Sequence, residues 1–229
     1  YFASILADDG QEAAANPTCI TTVAGYDLGL SHYLIGNDGD KVANPRHLVI
    51  AYRRLRRDSK ALFRKKPGSA NRRKARLRLA AQHERVANAR ADFQHKLSRR
   101  IIDENQAVIV ETLKSANMMK NRRLARHIAD AAWSGFVAKL AYKAESAGVH
   151  LVKLDQWFAS SKTCHCCGHK MPEMPLRVRA WKCPGCSADH DRDINAAINI
   201  QHKGITELMA AGHVVKAHRG LRKSGSMPV

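Results

Sequence analysis

Apolar and polar positions alternate with a short period at the start of this chain and with a long one in its middle. Ile20 to Leu28 is rich in β-branched and small apolar residues and predicts a first strand. Tyr33 to Ile35 and Lys41 to Val42 predict two more, folded around the turn Asn37-Asp38-Gly39-Asp40. Leu48, Tyr52, Leu55, Ser59 and Leu62 then recur at steps of three and four, the signature of one helical stripe. Lys66-Pro67-Gly68-Ser69 interrupts it, and Leu79, Val86, Phe93 and Leu97 mark a second helix, so the pair predicts an antiparallel hairpin with its apolar seams facing. Ala107-Val108-Ile109-Val110-Glu111 is apolar throughout until its last residue and predicts a buried strand. Leu124 to Ala147 predicts one long helix stopped by Gly148, Val149 to Leu154 a strand ending at Asp155, and Asp191 to Gln201 a closing helix. Strands and helices in this order predict a mixed α/β sheet.

Charge changes the picture of the hairpin. The chain of 229 residues carries a net charge of +19, and Arg46 to Arg100 alone holds nineteen Lys and Arg against Asp58, Glu84 and Asp92. With apolar periodicity inside the run, such a block reads as a phosphate-neutralising surface set on folded helices rather than a solvated tail. Arg53, Arg56, Arg57, Arg72, Arg73, Lys74 and Arg76 are its candidate backbone contacts. Aromatic residues make up 6% of the chain, which disfavours a reader built mainly on base stacking. There is no run of eighteen apolar residues and no basic-then-apolar leader, so neither a membrane span nor a signal peptide is expected. The first residue is Tyr1 rather than Met, which fits a piece of a longer protein.

The cysteines carry the sharpest local signal. Cys164-x2-Cys167 is followed after fifteen residues by Cys183-x2-Cys186, two knuckles at the separation of a zinc ribbon. Four thiolates leave no open position for water, so the expected Zn²⁺ is structural. Cys19 and Cys166 are left over, a usage that fits a reducing cytosol. With four cysteines available, His165, His169 and His190 are expected as surface histidines, and Ala196 and Ala197 as close-packing residues. Asp27, Glu111 and Asp193 each fall at a strand end or just after one, and such ends converge on one edge of a parallel-leaning sheet. Three carboxylates there need cations, and two Mg²⁺ ions would activate water and stabilise the leaving oxygen of a phosphodiester. Asp155 holds a similar position and is expected to be structural.

Several stretches together resemble the TnpB family of insertion-sequence-encoded nucleases. They are Tyr26-Asp27-Leu28-Gly29-Leu30, Gly68-Ser69-x-Asn71-Arg72-Arg73-Lys74-Ala75-Arg76, His95-Lys96-Leu97-Ser98 and Val108-Ile109-Val110-Glu111. Ser160-Ser161-Lys162-Thr163-Cys164 and Asp191-Arg192-Asp193-x-Asn195-Ala196-Ala197 complete the set, which runs from about Gly25 to Ile200. The resemblance implies a RuvC nuclease domain of ribonuclease H type, split by a zinc ribbon. It also implies RNA-guided DNA cleavage, with a guide RNA encoded by the transposon, target DNA as substrate, and a prokaryotic cytoplasmic location. Asp27, Glu111 and Asp193 would take the three catalytic carboxylate roles. Thr112 departs from the family, which usually has Asp after its glutamate. Expected divisions are a remnant of an N-terminal wedge-like region at 1–19, a nuclease part at 20–160 with a basic helical insert at 46–104, a ribbon at 161–190, a second nuclease part at 191–219 and a disordered tail at 220–229. An RNA-guided repressor that binds without cutting is the alternative. A zinc-ribbon transcription factor fits poorly, because the ribbon is a small share of the chain.

Overall fold

A computed structural model describes residues 10, 14–175 and 177–216. The expected tail at 220–229 and most of the segment 1–19 lie outside the described residues. The core is a five-stranded sheet in the order β4-β3-β2-β5-β6, with β2 at Val23–Leu28, β3 at His32–Gly36, β4 at Lys41–Ala43, β5 at Ala107–Glu111 and β6 at His150–Leu154. The first three of these form an antiparallel meander, whereas β2, β5 and β6 run parallel. This is the mixed sheet that the alternation of short strands and longer helical patterns predicts. The expected first strand is divided: Cys19–Ile20 (β1) pairs in parallel with Val214–Val215 (β9), away from the main sheet, and β7 (Ala180–Lys182) with β8 (Asp189–Asp191) forms a further two-stranded sheet. Gln106 explains the division, because its Oε1 accepts hydrogen bonds from the Thr21 N–H at 2.7 Å and the Thr21 hydroxyl at 2.9 Å.

Both faces of the sheet are covered. Along β5, Val108 and Val110 point into a core with Leu34, Leu97, Phe136 and Leu140, while Ala107 and Ile109 point into a second core with Ile20, Leu154 and Ile200. A strand buried on both faces has no polar alternation, which is why its sequence is one apolar run. The first face is covered by α2 (Ala70–Glu104) and by α4 (Ala125–Ala131) and α5 (Trp133–Ala147). The second is covered by α6 (Arg192–Ala210).

The helix expected over 124–147 is two helices. Ala132 adopts φ 48°, ψ 47°, a left-handed conformation unfavourable for a residue with a Cβ. Gln94 on α2 accounts for it: its buried Nε2 donates to the carbonyls of Ala131 (3.2 Å) and Ala132 (3.1 Å) and to the Tyr33 hydroxyl (3.0 Å). The backbone groups turned out of the helix are thereby satisfied from another element.

The basic hairpin is α1 (His47–Phe63) against α2. No side chain of its own caps α1; instead Asp130 of α4 accepts from the N–H groups of Leu48 (2.9 Å) and Val49 (3.4 Å) and pairs with Arg90 at 3.3 Å. A carboxylate at a helix N-terminus meets both the unsatisfied N–H groups and the dipole. The hairpin is therefore fastened to the body at its base.

Candidate functional site

In β2, Val23, Gly25 and Asp27 share one face, as do Ala107, Ile109 and Glu111 in β5, and both faces look toward α6. The parallel register sets Tyr26 beside Val110, so Asp27 and Glu111 come next to one another at the C-terminal edge. Their side chains hydrogen-bond to each other, and Glu111 Oε1 also accepts from the Leu28 N–H at 3.4 Å. Burial pushes the Asp27 carboxyl well above the usual range, and the charge and hydrogen bond of Glu111 and the charge of Asp193 push the same way, against Arg192. Burial also raises Glu111, opposed by the hydrogen bonds from Asp27 and from Leu28. Two acids in contact cannot both ionise unless something positive joins them, so the pair holds a proton or a cation.

Asp193 lies in the first turn of α6, close enough to bias Asp27 electrostatically. Arg179 NH1 reaches both its oxygens, at 3.2 and 3.3 Å. Among the described residues, the groups of three or more potential ligands whose donor atoms lie within 4.8 Å of one another are cysteine clusters, and the three carboxylates do not close to that distance. Neighbouring Asp191 caps α6, accepting from the N–H groups of Asp193 (3.0 Å) and Ile194 (3.1 Å), and pairs with Lys41. Asp155, at the end of β6, accepts from the Trp157 N–H at 2.8 Å, the bond of a turn-forming aspartate.

The four knuckle cysteines form one of those clusters. Cys164 and Cys186 sulfurs are 3.7 Å apart, and those of Cys167 and Cys183 are 3.6 Å apart. Four sulfurs about 2.3 Å from a tetrahedral centre would be separated by about 3.8 Å, so the residues fit a zinc ion. Both knuckles have the same backbone. The fourth residue after each leading cysteine (Gly168, φ 76°; Ser187, φ 60°) is left-handed and donates to that cysteine's carbonyl, at 2.9 and 2.8 Å. Burial raises the Cys183 thiol, yet the N–H groups of Cys186 and Gly185 together with the Cys167 and Cys164 thiols bring it down to about 7, while Cys164 and Cys186 in the same cluster are pushed up. A thiolate is the form that binds a metal.

His190 is not the surface residue the sequence suggests. It is buried between His165 and Trp181, with Nε2 3.1 Å from the Cys164 sulfur. Cys166 is exposed, 3.3 Å from His165 Nε2.

The ribbon is attached through side chains of α6. Asn195 Nδ2 donates to the Thr163 carbonyl at 2.8 Å, and its Oδ1 accepts from the His165 N–H at 3.0 Å. One turn later Asn199 donates to the carbonyls of Ser160 (2.8 Å) and Thr163 (2.6 Å), while Arg192 donates to the Pro175 carbonyl at 2.9 Å. Two asparagines four apart in the otherwise apolar stretch Ile194 to Ile200 are the signal in the sequence.

On the hairpin, Arg53, Arg56, Arg57, Arg73, Lys74 and Arg76 are exposed. Arg72 is engaged within the protein, with its guanidinium on the carbonyls of Lys65 (2.9 Å) and Leu62 (3.4 Å), where it closes the end of α1. Gly68, Ser69, Arg72, Arg73 and Arg76 line a cavity of about 240 Å³ at the hairpin tip.

Residues 8–122 match the family described as "Probable transposase" (OrfB_IS605), and residues 133–200 match "Cas12f1-like, TNB domain". A Streptomyces pristinaespiralis protein named "Putative RNA-guided DNA endonuclease" is 41% identical over 100% of this chain and 56% of its own length. Escherichia coli InsQ, named in the same terms, is 25% identical over 97% of this chain and 58% of its length. The chain thus spans little more than half the length of these relatives. The protein in a solved Cas12f1–sgRNA–target DNA complex shares the fold, with a TM-score of 0.57 at 20% identity over 80% of this chain and 50% of that one. The match over half of the chain and the mixed sheet point the same way: the chain belongs to the TnpB family of OrfB/IS605 transposase-associated proteins.

Proposed function

We propose that this chain carries the catalytic part of an RNA-guided DNA endonuclease of a transposable element, acting on target DNA selected by pairing with a guide RNA encoded by the transposon. The observation that carries the reading is the pair Asp27–Glu111: two acids hydrogen-bonded at the ends of adjacent parallel strands, beside the helix terminus that bears Asp193. Asp27, Glu111 and Asp193 would hold Mg²⁺, which when bound would supply Lewis-acid stabilisation of a phosphodiester's leaving oxygen and lower the pKa of an attacking water. The chain's own part is to keep the two acids poised, with Leu28 N–H fixing Glu111. Arg179 pairs with Asp193 at 3.2 Å and offsets its charge beside the two buried acids. Cys164, Cys167, Cys183 and Cys186 would hold a structural Zn²⁺. The exposed arginines of the hairpin would lie along the phosphates of the guide–target duplex and not on its bases.

The test is cleavage of matched and mismatched plasmid by the guide complex, with binding measured separately. Matched DNA should be cut only with Mg²⁺, and Asp193→Ala should abolish cutting while leaving target affinity within about twofold, since a lost metal ligand removes transition-state stabilisation. Guide-dependent binding without cutting by the natural sequence would instead establish an RNA-guided binding module.

A further inference from the structure

The bulkiest exposed apolar side chain near the acids has no part in the account above. Trp157 is 82% exposed, and it does not hang on a loose loop. It sits in the turn that follows β6, where its N–H donates to Asp155 Oδ1 at 2.8 Å and Phe158 N–H closes the turn onto the Asp155 carbonyl at 3.1 Å. The next side chain, Phe158, packs against the core beneath the sheet, so the turn is pinned from below while Trp157 faces out. A large ring held in water at a fixed place presents a rigid π-face on which a base can stack without further ordering of the chain.

Its location suggests the partner. Glu111 on β5 pairs with Leu154 on β6, and the pairing continues as Thr112 N–H donates to the Leu154 carbonyl at 3.2 Å. Parallel strands send their following loops to the same edge, so the residue three after Glu111 and the residue three after Leu154 meet there. They are Lys114 and Trp157, with the ammonium 6.0 Å from the ring centroid. An exposed aromatic ring with a cation over one face, on the rim of an acid pair, matches one nucleotide, with the base on the ring's other face and the phosphate on the ammonium. Bases within a duplex have both faces covered, so only an unpaired base can use the ring.

We propose that Trp157 is a stacking platform for an unpaired base of the DNA strand delivered to Asp27 and Glu111, with Lys114 on the adjoining phosphate. This rests on the nuclease reading above and names how that site holds its substrate strand. Trp157 is a positioning residue: it sets where the strand lies and takes no part in bond cleavage.

The test uses the full chain without divalent cation, so that nothing is cut. Binding of an oligothymidylate of about eight nucleotides is followed by tryptophan fluorescence and anisotropy, beside an abasic oligomer of the same length. Trp133 is 2% exposed and Trp181 is partly covered by His190, so Trp157 at 82% is the most exposed of the three tryptophans, and the difference between the natural chain and the alanine variant isolates its share of the quenching. The natural chain should bind the oligothymidylate the more tightly, with quenching. Trp157→Ala should weaken that binding about 5- to 100-fold, as expected for loss of one stacked base, and leave the abasic oligomer unaffected. Trp157→Phe should keep most of the preference, and Lys114→Gln should weaken both ligands by the same factor. Unchanged discrimination in Trp157→Ala would overturn the proposal. So would a Trp157 emission that acrylamide cannot quench in the free protein, because the ring would then be covered by another part of the protein. Failure of the nuclease reading is distinguishable: quenching and base preference would persist in a protein that cuts nothing under any metal.

Discussion

Gly25 is where the sheet and the acid-bearing helix come closest, and a single methyl group there should disturb both stability and chemistry. A Cβ at Gly25 would lie 2.5 Å from the Gln201 N, 2.6 Å from the Ala197 O and 2.7 Å from the Gln201 Cβ. Ordinary contacts begin near 3.4 Å, so Gly25→Ala requires about 1 Å of separation, and two of the three opposing atoms are helix backbone that cannot rotate aside. The cost should reach the upper end of overpacking, about 3 kcal/mol, because the strain also threatens the buried bond from Gln201 Nε2 to the Val23 carbonyl at 2.7 Å. For a domain of this size that lowers Tm by roughly 6–12 °C. Asp193 stands one turn from Ala197 on the same helix, and an error of about 1 Å in a catalytic group can cost about 100-fold in rate. Thermal unfolding by far-UV circular dichroism reads the first effect, and single-turnover cleavage by the guide complex reads the second. Gly204→Ala is the internal comparison, since the three atoms nearest its Cβ would all be Ile109 side-chain atoms, at 2.4 to 2.5 Å. Adding Ile109→Ala should relieve Gly204→Ala but not Gly25→Ala. A Gly25→Ala protein melting within about 1 °C of the natural one would refute the close-packing argument outright.

The raised Asp27 carboxyl means that the folded state without Mg²⁺ binds more protons than the unfolded chain above the ordinary carboxyl value of 3.8, so its stability falls as pH rises through that window. Asp27→Asn should therefore raise Tm near neutral pH in Mg²⁺-free buffer and flatten this decline, while abolishing cleavage; a lower Tm than the natural protein at pH 7 would contradict the burial argument. Zinc measured by elemental analysis should be about one per chain. Cys183→Ser should lose it and Cys166→Ser should keep it, and equal zinc in both would remove the ribbon assignment. Neutralising exposed Arg73 and Arg76 should weaken unrelated matched targets alike and flatten the slope of log affinity against log salt by slightly under one unit per lost contact. Arg72→Gln should instead lower hairpin stability, read by hydrogen exchange at the end of α1, because its guanidinium caps Leu62 and Lys65.

What was legible in the chain was whatever short-range pattern determines. Ala107 to Val110 announced a strand buried on both faces, and the two Cys-x2-Cys turns announced a cluster because each knuckle is a local backbone shape repeated. Asp27 and Glu111 were readable as strand-end acids. Short-range pattern is silent where a distant residue decides. Nothing between Leu124 and Ala147 marks a break at Ala132, because the group that permits it, the Gln94 amide, is on another helix. Gln106 likewise separates β1 from β2 from far along the chain. The burial of His190 is hidden in the sequence for the same reason, since its partners come from the fold and not from neighbours in sequence.

Asn195 and Asn199 give the ribbon and the acid-bearing helix a common fate. Thr163, which both asparagines hold, directly precedes Cys164, and Asp193 is two residues before Asn195. If ions bind at both places as proposed, occupancy at the cysteines and occupancy at the carboxylates would be linked equilibria of one body. Linkage is reciprocal, so whatever factor a filled cysteine cluster contributes to cation affinity at Asp27 and Glu111, a filled carboxylate site must return to the cysteines. An ion usually described as scaffolding would in that case have an affinity that records whether the distant acids are loaded.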